Sequence, residues 1–323
     1  MIVISETLAK ELVSVEDAIS AVETCFVAMA RGDARNYPVV REVVGYADAV
    51  YGVKAGADVS APFLGLKAGG YWPNNLSKGL TNHQSSTLLF DPETGRASAL
   101  VSANYLTGIR TGAASAIATR WLSRQDASIL GIIGTGGQSA YQLRATAAVR
   151  DLKRVHAWDP SAENLKRFGE VVESLGLEYR PETDRPAVVG AADILITVTP
   201  SQSALVERDW VRPGTHISAM GADTKGKQEL DPQLVAASAI FYDEAAQALS
   251  IGECQHAHSQ GLIGKSDLRA AIGAVIGGMD EGRRSQDEIT LFDGTGVALQ
   301  DLVVADLAVR RAKESGRGET VDF

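Results

Sequence analysis

The segment that most constrains the fold of this chain is "ILGIIGTGGQSAYQL", residues 129–143, where an apolar strand leads through a glycine-rich turn into a helical pattern. Gly134, Gly136 and Ser139 follow the spacing G-x-G-x-x-(G/A), with serine as a departure at the third position. Glycines there allow a tight turn and close approach of the backbone to a pyrophosphate, which the helix N-terminus attracts. A purely structural turn is the alternative for this motif alone.

The next predicted strand favours the dinucleotide over the plain turn. Asp159 ends "RVHAWDP", about 20 residues beyond the glycine motif, where an acid accepts hydrogen bonds from the adenosine ribose. Because a carboxylate would repel a 2'-phosphate, we expect NAD rather than NADP. Asp159 also precedes "SAEN", so it can cap the following helix, and both roles can hold together.

The rest of the chain predicts two kinds of sheet. From Ala127 onward, strands that are apolar throughout alternate with helices, which is typical of a parallel sheet covered on both faces. Residues 37–90 instead carry short β-like runs between Gly, Pro, Asn and Asp, and these predict an antiparallel sheet. Ser14 begins an amphipathic helix, and "GVALQDLVVADLAVRRAKESG" predicts another near the C-terminus.

Composition narrows the class of protein. A chain of 323 residues predicts two domains, and its net charge of -9 lacks the basic footprint that nucleic acid or an anionic membrane requires. The start has no signal-peptide pattern, and no run of apolar residues is long enough for a membrane span. Cys25 and Cys254 fit buried structural thiols. We therefore expect a cytoplasmic protein with no nucleic-acid or membrane partner.

Two polar clusters invite interpretations that the spacing does not support. Cys254, His256 and His258 alternate in "ECQHAH" and match no zinc spacing, so we expect no metal. His83 stands near two serines in "TNHQSS", but no nucleophile elbow or placed acid accompanies it, which argues against a hydrolase. His83 remains either a reader of a substrate's polar end or a satisfied polar group of the sheet.

Five motifs follow one another in a characteristic order: "GLKAGGYWPNN", "TGIRTGAASAIA", "IGTGGQS", "SAMGADTKGKQEL" and "LFDGTGVALQD". In these the chain resembles the ornithine cyclodeaminase/μ-crystallin superfamily over essentially its whole length. The resemblance implies the α/β class and a homodimer. Each subunit would have a Rossmann NAD-binding domain, residues 121–296, and an α+β substrate-binding and dimerisation domain with an antiparallel sheet, residues 1–120 plus 297–323. It also implies hydride transfer between nicotinamide C4 and the imine carbon of an amino-acid substrate.

Matching motif positions imply roles for individual residues. Arg41 and Lys67 correspond to the grip on the substrate's α-carboxylate, and Arg110 to the arginine at the junction of cofactor and substrate. Asp223 corresponds to the acid that exchanges a proton with the substrate nitrogen, and we count Asp223 and Lys67 as catalytic. Thr295 corresponds to a loop that closes over nicotinamide and substrate. Contacts with the dinucleotide are implied for Asn82, Arg110, Gly134, Gly136, Gly137, Gln138, Asp159, Thr199, Ser218, Ala219, Met220, Lys227 and Gly294.

The position of Asp223 agrees with its implied role. It follows "HISAMGA", a predicted strand, and therefore lies at the carboxyl end of a parallel strand, where α/β sheets bind ligands. An imine reductase needs an acid at the nitrogen, because a protonated imine has the more electrophilic carbon. The alternative is a loop aspartate that only shapes a turn.

Lys54 is the residue that bears on the substrate's side chain. The resemblance places a glutamate here in ornithine cyclodeaminases, where it pairs with a cationic amine, so the charge is reversed in this chain. If residues 51–56 and 63–69 form a hairpin centred between Ser60 and Ala61, Lys54 and Lys67 become cross-strand neighbours. A second substrate carboxylate between them would offset their repulsion. In the alternative, Lys54 extends to solvent, and a slip of one residue in register would turn it to the other face.

These observations lead to one function and three alternatives. The leading hypothesis is an NADH-dependent imine reductase, or amino-acid dehydrogenase in reverse, that converts iminosuccinate to L-aspartate. An alanine dehydrogenase is the first alternative, and an ornithine cyclodeaminase, which Lys54 disfavours, is the second. The third is a μ-crystallin-like NAD(P)H-binding protein without catalysis. Lys67, Arg110 and Asp223 together argue against it, because a pure binder needs no acid at the reacting nitrogen.

Overall fold

The computed structural model describes residues 1–323 and divides the chain into two compact units. Unit 1 comprises Met1–Arg110 and Val297–Phe323, and unit 2 comprises Thr111–Gly296. The first division falls inside a long helix, and the boundary expected after residue 120 lies near the end of the same helix. Each unit has its own sheet, and the two are described separately.

The helices and strands follow one another in three groups. The first group runs through unit 1 into the dividing helix: β1 (Ile2–Ile4), α1 (Glu6–Leu12), α2 (Val15–Arg31), β2 (Ala34–Asn36), β3 (Val40–Val43), β4 (Val50–Asp58), β5 (Phe63–Tyr71), β6 (His83–Phe90), β7 (Ala97–Ser102) and α3 (Asn104–Leu122). The second group belongs to unit 2: β8 (Ile129–Ile133), α4 (Ser139–Ala147), β9 (Arg154–Trp158), α5 (Ala162–Ser174), β10 (Glu178–Pro181), α6 (Arg185–Ala191), β11 (Ile194–Thr197), β12 (Gln202–Val206), β13 (His216–Ala219), β14 (Gln228–Leu230), α7 (Pro232–Ala237), β15 (Ala239–Tyr242), α8 (Ala245–Ser250), α9 (Gln255–Ser259), β16 (Leu268–Ala271), α10 (Ile272–Ile276) and β17 (Thr290–Asp293). The third group returns to unit 1: α11 (Ala298–Glu314) and β18 (Glu319–Thr320).

Unit 1 is a sheet covered by helices. Its strands run in the order β18-β1-β7-β6-β5-β4-β2, with β3 also paired to β4, and the strands from β4 to β7 are antiparallel as predicted. Helix α11 packs across β4, β5 and β6 and against α2. Ser14 caps α2 as predicted, by accepting from the Asp17 amide. The Arg311 guanidinium of α11, which hydrogen-bonds Asp17, lowers the pKa of that carboxyl to about 2.

The β4–β5 hairpin has the register that the sequence predicts. Lys54 lies directly opposite Lys67, so their side chains share one face of the sheet. The turn is fixed by Asp58, whose Oδ1 accepts from the backbone amides of Ser60 at 2.8 Å and Ala61 at 3.1 Å. A register slipped by one residue, which would turn Lys54 to the other face, is therefore excluded.

Unit 2 is a doubly wound α/β domain, as predicted. Its eight strands are all parallel, in the order β10-β9-β8-β11-β13-β17-β15-β16. Because the chain moves outward from β8 in one direction and continues at β11 in the other, the switch point of the topology lies between these strands. Apolar side chains from the strands and helices form a fully buried cluster that includes Ile133, Leu195, Ile217 and Leu291.

None of the helices combines the length and apolar character that a membrane crossing requires.

Candidate active site

The glycine-rich turn of unit 2 joins β8 to α4 at the switch point. Gly134 has a φ of 96°, and a Cβ there would lie 2.6 Å from Cγ2 of Thr199, so the position requires glycine. Gly136 and Gly137 face open space, because a Cβ at either position would have no atom within 4 Å. Ser139, the departure from the motif, donates from Oγ to the Gly136 carbonyl at 2.7 Å and so closes the turn.

Asp159 fastens this turn from the end of β9. Its Oδ2 accepts from the Thr135 amide at 2.7 Å, and its Oδ1 accepts from the Ser161 amide at 2.8 Å. The expectation that Asp159 caps the next helix is wrong: Ser161 is the N-cap of α5 and accepts from the Asn164 amide. The carboxylate thus belongs to the glycine turn, beside the position expected for a ribose.

Asp223 lies in the loop after β13 and is paired with a cation. The Lys227 amine is 2.7 Å from Asp223 Oδ1 and 3.1 Å from the Gly221 carbonyl, and Thr224 donates to the same Oδ1 at 3.1 Å. The Asp223 side chain is 29% exposed and that of Lys227 is 27% exposed. The pair therefore presents a carboxylate that solvent and small molecules can reach.

Glu229 on β14 joins the carboxyl ends of two neighbouring strands and was missed in the sequence. Its Oε1 accepts from the Thr199 amide at 2.6 Å, and its Oε2 accepts from the Gly221 amide at 2.9 Å and from Thr197 Oγ1 at 2.8 Å. Burial raises the pKa of Glu229, while these donors favour the carboxylate. Burial and the neighbouring Glu229 raise the pKa of Glu253 well above its usual range. The available signal was its place inside the motif "SAMGADTKGKQEL", since no local pattern marks Glu229 as buried.

Two further buried acids hold the loop that contains Gly294 and Thr295. Asp243 accepts from Thr295 Oγ1 and from the Gly296 amide, each at 2.7 Å. Burial raises the pKa of Asp293 to about 7, although the carboxylate accepts from the Cys254 amide at 3.0 Å. A Cβ on Gly294 would lie 2.5 Å from the Met220 sulfur, so this loop packs closely on the end of β13.

The other residues expected to contact a dinucleotide lie mainly at the carboxyl edge of the same sheet. They occupy the ends of β8, β11, β13 and the loops that follow them: Gly137, Gln138, Thr199, Ser218, Ala219 and Met220. Asn82 is elsewhere, in unit 1. There it accepts from the Leu76 amide and donates to Tyr71 Oη, which commits its side chain to the loop before β6.

Unit 1 contains a buried cluster of charge that brings Lys67 and Arg110 together. The Lys67 amine is 2.7 Å from Asp301 Oδ2, and the Arg110 Nε is 2.8 Å from Asp301 Oδ1. Arg110 Nη1 donates to Gln300 Oε1 at 2.9 Å. All four residues are buried, and Asp301 and Gln300, at the start of α11, were missed in the sequence.

Positive charge exceeds negative charge in this cluster. Burial, together with the charges of Arg110 and Lys54, lowers the pKa of Lys67 to about 7, although Asp301 opposes the shift. Burial alone would raise the pKa of Asp301, but Arg110, Lys67 and Lys54 together lower it to about 2. One carboxylate therefore pairs with two buried cations, and an anionic ligand would restore the balance.

The remaining candidates of unit 1 share the face of Lys67. Arg41 lies opposite Gly52, two residues from Lys54 on β4, so it projects to the same side. His83 is on β6 at an even spacing from Thr87, the residue opposite Lys67, and it also lies on this side. The face thus collects Arg41, Lys54, Lys67 and His83, the residues of this sheet that are expected to bind substrate.

Residues 1–316 match the model of the Ornithine cyclodeaminase/mu-crystallin family. The chain belongs to this family. It is 51% identical over 325 residues to the iminosuccinate reductase of Paracoccus denitrificans (strain Pd 1222), with 100% of both chains covered. The crystal structure of the Paracoccus denitrificans iminosuccinate reductase in complex with NAD⁺ has a TM-score of 0.95 to this structure, at 49% identity and with 100% and 99% of the chains covered. An archaeal alanine dehydrogenase dimer with bound NAD has a TM-score of 0.94, at 36% identity and with 100% and 99% covered.

Membership of the ornithine cyclodeaminase/mu-crystallin family confirms the superfamily predicted from the five motifs. The α/β class with a Rossmann-like parallel sheet is confirmed as well. Asp301 and Gln300 stand inside the last of those motifs, "LFDGTGVALQD", as polar residues in an apolar stretch. That contrast was the signal for them, because a buried polar side chain in a helix needs a partner.

Proposed function

We propose that this protein is an NADH-dependent imine reductase that converts iminosuccinate to L-aspartate. The observation that carries the proposal is the 51% identity, over the full length of both chains, to an iminosuccinate reductase. The chemistry of the two units supports it independently. Unit 1 holds an excess of buried positive charge suited to carboxylates, and unit 2 holds a glycine turn suited to a dinucleotide.

Lys67 and Arg110 would bind the α-carboxylate of the substrate, with Arg41 on the same face of the sheet. Asp301 orients both cations, because one carboxylate oxygen faces each of them. A bound carboxylate would also stabilise the charged form of Lys67, which burial disfavours. This arrangement fits any α-imino acid and does not by itself choose among them.

Lys54 supports a dicarboxylate in particular. It lies directly opposite Lys67, and like charges so placed destabilise a sheet by about 0.2–1 kcal/mol in exposed pairs. A second substrate carboxylate, held by Lys54 with His83 on the same face, would turn this repulsion between the two lysines into a net attraction through the shared anion. The imine formed from pyruvate has only one carboxylate, and ornithine carries a cationic side chain that Lys54 would repel. Alanine dehydrogenase activity is the second candidate, because a relative of 36% identity has that name.

The residues of unit 2 fit an NAD cofactor, which supplies the hydride when bound. A dinucleotide fits beside the start of α4, because Gly136 and Gly137 leave open space there. Thr135 Oγ1 and Gln138 Oε1 are buried there without partners. Asp159 would accept from the adenosine ribose and repel a 2'-phosphate. Together with Arg110, the residues proposed to hold the cofactor are Gly134, Gly136, Gly137, Gln138, Asp159, Thr199, Ser218, Ala219, Met220, Lys227 and Gly294.

Asp223 would control the proton on the substrate nitrogen. Its carboxylate, oriented by Lys227, would accept a hydrogen bond from a protonated imine and so keep the imine carbon electrophilic. After the carbon is reduced, a proton from solvent would reach the amine nitrogen by way of the partly exposed Asp223, and the product would carry its nitrogen as an ammonium group. Thr295, held by Asp243, would contact the substrate from the loop after β17.

The proposal extends to assembly and location. A homodimer is supported by the relative described as a dimer, and by large apolar side chains that are exposed around β3 and β4, namely Val40, Val43, Tyr46 and Tyr51. A cytoplasmic location is supported by two cysteines that are free and buried, together with a reaction that consumes NADH.

Oxidation of NADH, followed by absorbance, tests the function. We expect the highest kcat/KM with iminosuccinate, formed from oxaloacetate and ammonia, and a lower value with pyruvate and ammonia. In the reverse direction, L-aspartate should reduce NAD⁺, and ornithine should not. Activity with ornithine alone would refute the proposal, and NADH binding without turnover of any imino acid would favour a binding protein.

A further inference from the structure

The charged cluster of unit 1 contains a hydrogen-bond donor that the protein leaves unused. Gln300 is fully buried in the first turn of α11, and its Nε2 has no hydrogen-bond partner. Buried amide donors almost always have a partner, because losing water without replacing it is costly. An unpartnered donor next to an excess of positive charge indicates that a ligand supplies the acceptor.

The orientation of the Gln300 amide is fixed by chemistry. Arg110 Nη1 lies 2.9 Å from Oε1, and a guanidinium can only donate, so the oxygen must face Arg110. The nitrogen therefore cannot exchange places with the oxygen and must face away from Arg110. Arg110 also pairs with Asp301, the next residue, which in turn pairs with Lys67, so the Gln300 amide joins this cluster through Arg110.

A second buried polar atom supports a ligand at the same place. Thr87 lies directly opposite Lys67 on β6, is fully buried, and its Oγ1 has no partner. Thr87 lies on β6 and Gln300 on α11, and α11 packs across both β5 and β6. A carboxylate accepts up to about four hydrogen bonds, so it can accept one from Gln300 in addition to those from Lys67 and Arg110.

We propose that Gln300 is a substrate-binding residue, whose Nε2 donates to the α-carboxylate of the substrate alongside Lys67 and Arg110. The proposal rests on the proposed function for the identity of the substrate, and on the buried cluster for the site. Gln300 thereby has two tasks. Its oxygen accepts a hydrogen bond from Arg110, and its nitrogen donates one to the carboxylate that Arg110 attracts.

Two substitutions separate these tasks. Gln300→Met has a similar length but removes both the donor and the acceptor. Gln300→Glu keeps an acceptor for Arg110 but replaces the donor with an anion. Binding of succinate, an unreactive dicarboxylate, is measured by calorimetry on the full-length protein with saturating NAD⁺, and KM and kcat are measured with iminosuccinate.

We expect Gln300→Met to weaken succinate binding by about 10- to 100-fold, the loss typical of a hydrogen bond to a charged group. Gln300→Glu should weaken it further, because the new carboxylate repels the ligand. KM should rise while kcat changes much less, because the α-carboxylate is bound equally in the ground state and the transition state. Affinity for NADH should stay within about twofold of the wild type.

Asp306→Asn is the matched control, because Asp306 pairs with Arg310 on the exposed side of the same helix. This variant should bind succinate as the wild type does. If both Gln300 variants bind succinate within about twofold of the wild type, a water molecule satisfies Nε2 and the proposal is wrong. A parallel loss of NADH binding would also overturn it. If the wild type binds succinate and the variants do not, but iminosuccinate is not reduced, the proposed function fails while this inference stands.

Discussion

Two buried groups of charged residues in this protein differ in how their charges are satisfied. In unit 1, Lys67 and Arg110 share a single carboxylate, Asp301, and nearby polar atoms have no partner. In unit 2, Glu229 accepts from two backbone amides and a hydroxyl group, and Asp243 accepts from one backbone amide and a hydroxyl group, all near the ends of parallel strands. Both groups are almost fully removed from solvent.

This difference distinguishes residues that bind a ligand from residues that position a loop of the protein. A buried carboxylate whose oxygens face amides of its own chain stabilises the shape of a loop and has little capacity left for a ligand. A cluster with excess charge and unused donors has a cost that a ligand of opposite charge removes. We therefore assign the unit 1 cluster to substrate and the buried acids of unit 2 to the support of the cofactor loops.

The largest effect is expected at Asp223, the exposed acid of unit 2, which contrasts with its buried neighbours. Asp223→Asn keeps the size of the side chain but removes the base, so turnover should fall by about 10²- to 10⁴-fold. The melting temperature and NADH affinity should change little, because the side chain is partly exposed and supports no strand end. An unchanged kcat would remove Asp223 from the mechanism.

The opposite pattern is expected at Glu229. Glu229→Gln puts an amide nitrogen among the donors of Thr199, Gly221 and Thr197, so at least one donor loses its acceptor. The free energy of unfolding should fall by about 1–3 kcal/mol, and NADH affinity should fall with it. Urea denaturation and NADH titration measure both effects. Succinate binding should be retained, and a selective loss of succinate binding would break the distinction between the two groups.

Lys54 tests which carboxylates the unit 1 cluster accepts. Lys54→Met should raise KM for iminosuccinate by about 10- to 100-fold, because the distal carboxylate loses a charged partner. KM for the imine of pyruvate should stay the same or fall, since that substrate gains nothing from Lys54. Equal effects on both substrates would show that Lys54 acts only through Lys67.

The smallest effect is expected from pH. Burial lowers the pKa of Lys67 to about 7, so above this pH the free protein must take up a proton to bind a carboxylate. The dissociation constant of succinate should therefore be flat below pH 7 and rise by about tenfold per pH unit above it. The same shift makes the folded state more stable as pH rises from about 7 towards 10.5, where only the unfolded chain still holds the proton.

Asp293 also titrates near pH 7, so a control is needed. Lys67→Arg keeps its charge throughout this range, and its succinate binding should be weaker but independent of pH between 7 and 9. A pH dependence that persists in this variant would assign the titration to a group other than Lys67.

Local patterns predicted what depends on neighbours along the chain. The apolar strands from residue 129 onward predicted the parallel sheet, and the residues around Ser60 predicted the register that places Lys54 opposite Lys67. The cap assigned to Asp159 failed because Thr135, a residue of the preceding turn, competes for the carboxylate and Ser161 is available as the cap.

Contacts between distant segments could not be predicted in this way. Arg110 meets Asp301 across 191 positions of sequence and Gln300 across 190, and no local periodicity records such a pairing. Glu229 similarly bridges Thr199 and Gly221, which become neighbours only when β11 and β13 pair. The roles of single residues could be predicted from the sequence, but the partners that complete each buried cluster could not.

The position of α11 in the chain has a consequence for the order in which the protein is made. Every residue of unit 2 leaves the ribosome before Gln300 and Asp301, because α11 follows that unit in the sequence. Unit 2 can therefore fold during translation. Lys67 and Arg110 have no counter-ion from Asp301 until synthesis has passed residue 301. A nascent chain arrested before α11 should bind the dinucleotide but should not yet bind a carboxylate ligand.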